Sequence, residues 1–178
     1  MTNLLRVALL SLALCTLVPA AASAQVDKQD NEISANASLN ANLRGGSPSV
    51  FLGAHYGKLL HDITIFGTKI DGLQVGGDAM FFGSLDLSFG YLNLFPAARI
   101  YFSAKDPRFT PYAGVGIGLG LLAGGGTTSA NLAYDLNGGV KYFLNPTAAA
   151  FAQLDLTGPV TDPGGSSIVL SAGLSVFF

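Results

Sequence analysis

The chain has 178 residues, of which 49% are hydrophobic and 11% are charged, and its formal net charge is −2. This length suits a single domain, and the charged fraction is less than half of that in an ordinary soluble domain. The small net charge and the lack of Lys/Arg clusters exclude a nucleic-acid-binding surface. The composition therefore fits a very apolar soluble core or a membrane protein.

Residues 1–24 have the features of a secretory signal peptide. Arg6 gives a positive start, and the apolar run 7–18 that follows is too short to cross a bilayer as a helix. Ala22-Ser23-Ala24 is a small-residue cleavage site. We therefore expect export through this signal and a mature domain over residues 25–178.

After the signal, apolar and polar side chains alternate over segments of about ten residues, which is the pattern of β-strands. No apolar run there approaches the roughly 20 residues of a transmembrane helix. The parity of the alternation slips near Asn93, which predicts a turn or bulge between Leu92 and Pro96. The strand-like segments are approximately 33–43, 50–57, 62–68, 73–81, 85–91, 97–103, 114–121, 132–142, 150–157 and 171–178.

Ten segments can be counted in this way, and bacterial barrels made from one chain have an even number of strands. The length of the chain favours eight, because ten strands would leave almost nothing for loops. With eight strands, one hairpin between residues 48 and 82 lies outside the barrel wall, or this region forms one irregular strand. We predict an all-β, up-and-down antiparallel transmembrane β-barrel with eight strands, ten being the alternative.

The last predicted strand places Ala172, Leu174, Val176 and Phe178 on one apolar face. Soluble chains tend to end in polar, frayed residues, so an alternating strand that ends in Phe is unusual. It resembles the C-terminal signal of bacterial outer-membrane barrels, whose last aromatic residue is read by the assembly machinery. We therefore assign Phe178 as an assembly signal.

Aromatic residues gather beside one set of turns. If the C-terminus is periplasmic, the turns near 57–61, 82–85, 103–110 and 144–147 are periplasmic as well. An aromatic ring at one rim is typical of a membrane interface and is not expected of a soluble sandwich. The aromatic residues beside these turns and at the chain end are Tyr56, Phe81, Phe82, Tyr101, Phe102, Phe109, Tyr112, Tyr142, Phe143, Phe177 and Phe178.

Three segments carry a resemblance to a known family. Thr110–Gly118 resembles the "PY-x-G-x-G-x-G" strand, and Gly138–Leu144 the "G-x-K-Y-F" strand, of small outer-membrane barrels related to opacity proteins and outer-membrane protein A. Phe95–Phe102 adds to a resemblance that covers roughly the C-terminal half of the chain. The resemblance implies eight antiparallel strands, and its motifs do not indicate any particular activity. The chain differs from the adhesive members in lacking long extracellular loops and in its extra hairpin within residues 48–82.

The inward faces of the predicted strands carry a set of charged residues. Two interpretations remain open: a salt-bridge network that fills the lumen, or a polar channel or catalytic cluster. Eight-stranded barrels have interiors just wide enough for side chains, which favours the network. We expect Arg99 and Lys141 to lie near Asp86, Asp135 and Asp155, with the glycines at 114–120 leaving room for the two cations. The predicted lumen network is Arg99, Lys141, Asp78, Asp86, Asp135 and Asp155, accompanied by His55, Gln74, Asn137 and Gln153.

These features predict an outer-membrane protein with a structural or surface role and a side-chain-filled lumen. A narrow pore for small solutes is the alternative, and an outer-leaflet lipid-modifying enzyme is the third. Such an enzyme needs a nucleophile or base near the outer leaflet, whereas His55 and His61, the only histidines, lie by the predicted periplasmic turn. We therefore predict no catalytic site.

No cofactor or metal is expected, because clustered ligands are lacking and the only cysteine, Cys15, falls in the signal peptide. The expected partners are outer-membrane lipid and lipopolysaccharide, the barrel-assembly machinery and periplasmic chaperones. We expect a monomer that binds no nucleic acid.

Overall fold

The structure is a computed structural model that describes residues 30–40, 49–61, 63–65, 68–70, 72–85, 89–124, 126–161 and 166–178. The predicted signal peptide and Asp86 lie outside these residues. All the regular elements in the described ranges are strands. Within the same ranges, no helix has the length and apolar character needed to cross a membrane.

Eight strands close into one antiparallel barrel, in the order β1-β10-β9-β8-β7-β6-β5-β2. The remaining two, β3 and β4, form a separate two-stranded hairpin. The prediction of an eight-stranded barrel is confirmed, and the extra hairpin within residues 48–82 lies outside the wall. The strands are β1 Asn31–Asn40, β2 Ser49–Leu60, β3 Ile63–Ile65, β4 Thr68–Ile70, β5 Gly72–Ser84, β6 Phe89–Tyr101, β7 Phe109–Gly124, β8 Thr127–Asn145, β9 Ala148–Pro159 and β10 Ser167–Phe177.

Alternation in the sequence becomes alternation between the two faces of the wall. On β10, Leu170 and Leu174 are exposed on the outside, whereas Ser171 and Ser175 are buried inside. The same division runs along β1, where Ile33 points out and Ser34 points in. Because successive side chains of a strand point to opposite faces, each strand contributes one apolar and one largely polar row to the barrel.

β6 corrects one expectation. The predicted turn or bulge between Leu92 and Pro96 is wrong, because β6 runs unbroken from Phe89 to Tyr101 and its register with β7 is the same on both sides of Pro96. Its pairing with β7 runs to Leu94↔Leu119 and resumes at Ala97↔Gly116. Pro96 has no N–H to donate to a neighbouring strand, so the irregularity is a local gap in one ladder and not a reversal of the chain.

Two ends of the barrel can be distinguished. The terminal end is where β1 begins and β10 ends, and the β6–β7 and β8–β9 turns lie there; the far end is the opposite one. The connection between β5 and β6 lies at the far end, so the assignment of turn 82–85, with Phe81 and Phe82, to the periplasmic rim is wrong. The difference arises because the predicted turn between Leu92 and Pro96 adds a reversal of chain direction that the structure does not contain.

The other predicted rim aromatics do gather at the terminal end, but on both faces of the wall. Tyr101, Tyr112, Phe143 and Phe177 are buried inside the barrel. The aromatics exposed on the outside there are Tyr56, Phe102, Phe109, Tyr142 and Phe178. The terminal end therefore has an outer aromatic ring, meaning a band of exposed aromatic side chains around the outside of the wall, as the predicted aromatic rim requires. It also has an inner aromatic layer, formed by the four buried aromatic side chains.

The β6–β7 turn is ordered by its own charges. Arg108 donates to Asp106 Oδ2 at 3.0 Å, and its guanidinium lies 5.7 Å from the centre of the Tyr142 ring. The hydrogen bond from Arg108 lowers the pKa of the Asp106 carboxyl below its ordinary value. Tyr142 in turn packs against Phe109, with ring centroids 5.0 Å apart, which anchors the turn to the outer aromatic ring.

The interior is layered. The far end holds an apolar cluster that includes Phe51, Met80, Phe95 and Val169, with Phe82 packed against it. At the terminal end, Phe143 packs on Phe177 with ring centroids 5.2 Å apart. The polar side chains occupy the space between these layers, and they form the candidate site.

Candidate functional site: the polar interior of the barrel

Six charged side chains on inward-facing strand positions are almost fully enclosed. Each of them is 4% exposed or less: Glu32, Asp78, Arg99, Asp135, Lys141 and Asp155. Five belong to the predicted lumen network, and Glu32 is the one that sequence reasoning missed. The signal for Glu32 was present, because the parity that points Ser34 inward extends two residues back along β1.

Glu32 is the centre of the first cluster. Lys141 donates to Glu32 Oε1, Gln74 Nε2 donates to Oε2 at 2.9 Å, and the Tyr101 hydroxyl lies 2.8 Å from Oε2. Lys141 also donates to the Tyr101 oxygen at 3.0 Å. The carboxylate of β1 is thus bound to side chains of β5, β6 and β8, which lie on other parts of the wall. This cluster ties the closing strand to the rest of the barrel.

Aromatic rings surround the ammonium group of Lys141. The centres of the Phe177, Tyr101 and Tyr112 rings lie 5.0, 5.1 and 5.4 Å from Nζ, and Phe151 lies at 5.8 Å. A cation within about 6 Å of a ring face is attracted by the ring quadrupole. Ring faces and the carboxylate of Glu32 therefore replace the water that the buried ammonium has lost.

A second cluster continues from Gln74. Its Oε1 lies 2.8 Å from His55 Nε2, and His55 Nδ1 lies 2.6 Å from Asp78 Oδ1. Arg99 Nη2 donates to the same Asp78 oxygen at 2.9 Å, and its guanidinium lies 5.6 Å from the Tyr112 ring centre. Both ring nitrogens of His55 are occupied by contacts with Gln74 and Asp78, so neither is open to a substrate.

The remaining two carboxyl groups are held by neutral partners. Asn137 Nδ2 donates to Asp135 Oδ2 at 2.5 Å, and Gln153 Nε2 donates to Asp155 Oδ1 at 2.5 Å. Among the described residues, neither carboxyl has a cation within 4.0 Å. Gln153 also accepts from the Tyr112 hydroxyl at 2.5 Å, which connects these acids to the inner aromatic layer.

The charge pairing differs from the expectation. Arg99 and Lys141 are predicted to lie near Asp86, Asp135 and Asp155, whereas the structure pairs Arg99 with Asp78 and Lys141 with Glu32. Inward parity predicts that a side chain points into the narrow lumen, but it does not predict at which height along the barrel the side chain lies.

The glycines at 114–120 accommodate only one of the two cations. A Cβ on Gly114 would lie 2.7 Å from Arg99 Cγ, so this glycine leaves room for Arg99. On Gly118 a Cβ would lie 2.1 Å from the Leu94 carbonyl oxygen, so there the row permits a close approach of backbone. Atoms of Lys141 are not among the nearest neighbours of these glycines.

Little free space remains beside these groups. A cavity of about 10 Å³ lies against His55, Asp78 and Arg99, which is room for about one water molecule. Buried polar atoms without a protein hydrogen bond in the described interior include Asp78 Oδ2, Arg99 Nε and Asp135 Oδ1. In the described part of the chain, no three His, Cys, Asp or Glu side chains cluster as metal ligands would.

Comparison with known proteins supports the fold. No protein-family model and no curated protein matches the chain. Among solved structures, the barrel is similar to Neisserial surface protein A, with 17% identity and a TM-score of 0.58 over 83% of this chain and 97% of that one. It is also similar to the N-terminal β-barrel domain of Pseudomonas aeruginosa OprF, with 15% identity and a TM-score of 0.55 over 84% and 98% of the two chains.

A third structure, the outer-membrane enzyme PagL, matches with 15% identity and a TM-score of 0.48 over 83% of this chain and 98% of that one. That likeness is too weak to carry an inference about activity. At such identities the first two comparisons establish the fold alone: the chain folds as a small, eight-stranded barrel of the kind found in outer-membrane proteins.

The Glu32–Lys141 pair generates a prediction about stability. Lys141→Met removes the cation and leaves a buried carboxylate, so we expect the free energy of unfolding to fall by about 3–5 kcal/mol. Adding Glu32→Gln should recover a large part of this loss, because the unpaired charge is then gone. Urea unfolding of the refolded protein in detergent micelles measures both effects.

Lys58→Met is the matched control, because Lys58 is exposed on the outer face of β2. It should change stability by no more than about 0.5 kcal/mol. Equal effects of Lys141→Met and Lys58→Met would mean that the ammonium of Lys141 is solvated and that the interior is not a packed network.

Proposed function

We propose that this protein is an integral barrel of the bacterial outer membrane with a structural or surface role and a lumen closed by side chains. The observation that carries the proposal is the inversion of ordinary burial: Ile168 is 72% exposed, whereas Lys141 is fully buried. In water this exterior would be an aggregation surface. In a bilayer, hydrocarbon solvates it, and the closed ladder satisfies the backbone.

Orientation and partners follow from the same proposal. The outer aromatic ring at the terminal end suits a membrane interface, and we assign that end to the periplasm. The apolar belt contacts outer-membrane lipid, with lipopolysaccharide in the outer leaflet. Export uses the signal peptide in residues 1–24, and periplasmic chaperones and the barrel-assembly machinery deliver a monomer to the membrane.

An enzymatic role finds no support in the histidines. His55 lies inside the barrel with both ring nitrogens facing acceptor oxygens. His61 lies at the terminal end, 3.6 Å from Asp30, on the side away from the outer leaflet in the proposed orientation. A lipid-modifying site would need a base and a nucleophile near that leaflet, so the proposal is for a protein without catalytic activity.

A narrow pore is the second candidate, and one observation favours it. The described interior holds four carboxyl groups, on Glu32, Asp78, Asp135 and Asp155, and only two Arg or Lys side chains, Arg99 and Lys141. An interior with surplus carboxylates would attract small cations if water could enter. The packed layers at both ends oppose this, since each consists mainly of aromatic and aliphatic side chains.

The proposed location predicts how the protein behaves in cells. It should fractionate with the outer membrane, and its gel mobility should change on boiling, because a closed barrel resists detergent at room temperature. Fractionation of the expressing cells and paired heated and unheated gels measure this. Recovery in the soluble periplasmic fraction, without a mobility shift, would contradict the proposal.

Substitutions of Phe177 and Phe178 distinguish an effect on assembly from an effect on stability. Phe178 is exposed on the outside, whereas Phe177 is 3% exposed and packs on Phe143. Phe178→Ala should reduce the amount of assembled protein in cells while leaving the urea midpoint of the refolded protein unchanged. Phe177→Ala should lower that midpoint, because a buried Phe→Ala change costs about 3–5 kcal/mol.

Immunoblots of outer membranes and urea unfolding in micelles give the two readouts. If Phe178→Ala assembles as well as the unmodified protein, Phe178 is not the assembly signal. If it lowers the urea midpoint as much as Phe177→Ala does, its role is in packing instead.

The variant Arg99→Ala distinguishes between a closed lumen and a hydrated pore. In a closed lumen the substitution leaves Asp78 without its guanidinium partner, and stability should fall by about 3–5 kcal/mol. In a hydrated pore Arg99 would be solvated, and the loss should be roughly 0–1 kcal/mol with a changed ion selectivity. Urea unfolding and planar-bilayer conductance on the same preparation decide between them.

Lys105→Ala serves as the control, since Lys105 is exposed in the β6–β7 turn. It should change neither the conductance nor the unfolding midpoint appreciably. A stable Arg99→Ala protein with altered selectivity would replace the closed-lumen proposal by the pore.

A further inference from the structure

Among the described residues, the ladder between β1 and β10, which forms the seam of the barrel, stops short of the far end. The ladder between β1 and β10 runs from Glu32↔Phe177 to Ala37↔Ala172 and ends there in the described residues. β1 nevertheless continues to Asn40, paired with β2, and β10 starts at Ser167, paired with β9. In this register, residues 38–40 of β1 face residues 171–169 of β10, and the ladder between the two strands does not extend to them.

A cavity occupies this gap. Its volume is about 340 Å³, which is within the range of small-molecule sites. Phe51, Phe82 and Val169 line it from the apolar cluster inside the far end. Among the described residues, the rest of its lining is Ser38, Leu39, Ile168 and Leu170. The cavity is thus a groove lined by apolar side chains and polar strand edges, and it leads from the outer surface through the seam to the apolar cluster inside the far end.

The groove is continuous with the apolar belt of the barrel. Its outer lining residues Leu39, Ile168 and Leu170 are 58%, 72% and 68% exposed. Ile168 precedes Phe177 by nine residues of β10. At about 3.3 Å per residue and a tilt near 40°, this places it about 20–25 Å above the terminal end. In an apolar band about 25 Å tall, that height falls in the leaflet away from the termini, close to its interface.

The chemistry of the groove selects its occupant. Water gains little from a lining of Leu, Ile, Val and Phe. Unpaired strand edges at this depth, in contrast, require polar partners, because hydrocarbon leaves backbone N–H and C=O groups unsatisfied. An amphiphile at the interface satisfies both demands, with its chain against the apolar lining and its polar head at the strand edges.

We propose that this seam binds one acyl chain of a lipid from the surrounding leaflet. The chain enters between Leu39 and Leu170 and contacts Phe51 and Val169, and the polar head of the lipid hydrogen-bonds to the free edges of β1 and β10. The proposal rests on the proposed function, since it requires the barrel to be in a bilayer. A second copy of the chain, paired through the same edges, is the competing occupant.

The absence of tryptophan from the sequence allows a direct test. Phe51→Trp places a fluorophore against the groove. Phe95→Trp places one in the same apolar cluster but on β6, away from the groove lining. Leu136→Trp reports the lipid-facing surface of β8, where Leu136 is exposed. Each protein is reconstituted into phosphatidylcholine vesicles with either plain or brominated acyl chains, since bromine quenches the tryptophans it contacts.

If an acyl chain occupies the groove, Phe51→Trp loses fluorescence in the brominated vesicles to an extent close to that of Leu136→Trp, while Phe95→Trp is unaffected. Equal, weak quenching of Phe51→Trp and Phe95→Trp, with Leu136→Trp strongly quenched, overturns the proposal. A crosslinked dimer in which Phe51→Trp is shielded overturns it in favour of the second copy. Absence of quenching in Leu136→Trp refutes the bilayer location itself, and hence the proposed function.

Phe82→Trp, which also lines the groove, replaces Phe51→Trp if the latter fails to refold. Heat-modifiable gel mobility identifies the refolded variants before any fluorescence is measured.

Discussion

Backbone hydrogen bonding is the constraint on which this structure depends. In hydrocarbon an N–H or C=O group without a partner costs several kcal/mol, so a sheet can stay in a bilayer only where its edges meet. In the proposed bilayer location, the first and last barrel strands must therefore pair, although Glu32 and Phe177 are far apart in sequence. This closure has the largest sequence separation of any ladder in the barrel, and the interior is arranged to hold it.

The hydrogen bonds and the ion pair of Glu32 stabilise this closure. Glu32 lies near the start of the closing strand β1, and its carboxylate is bound by Lys141 of β8, Gln74 of β5 and Tyr101 of β6. Replacing a buried ion pair by apolar residues is often neutral for stability, so burial alone does not explain the presence of the pair. A charge that must find its partner does, however, specify which strands face each other across the lumen. The pair is placed where specificity of closure matters most, beside the β1–β10 ladder.

Alternation in the sequence predicted the faces of most barrel strands correctly, because an exposed apolar row and a polar lumen-facing row differ strongly. The prediction failed on β6, where the far-end lumen is itself apolar. Tyr91 and Phe95 point inward there, so inside and outside could not be distinguished by polarity. The sequence also could not predict which charged side chains in the lumen pair with each other. Inward parity applies equally to Asp78 and Asp135, and only the stagger of the closed barrel decides that Arg99 reaches Asp78.

The same constraint explains why the open part of the seam lies at the far end. Near the terminal end, β1 is tied across the lumen through Glu32, and its ladder with β10 is complete. Further along, the last side-chain bond between the two strands in the described structure is from Asn36 to Ser171, at 2.7 Å. Beyond it, the described side chains that line the gap from inside include Ser38 on β1 and Val169 on β10, and neither carries a charge. The β1–β10 ladder is thus present where the polar network contacts β1, and in the described residues it ends where the lumen becomes apolar. In the proposed bilayer location, the edges at that height approach the polar interface, where lipid head groups would supply the hydrogen bonds that the opposite strand does not.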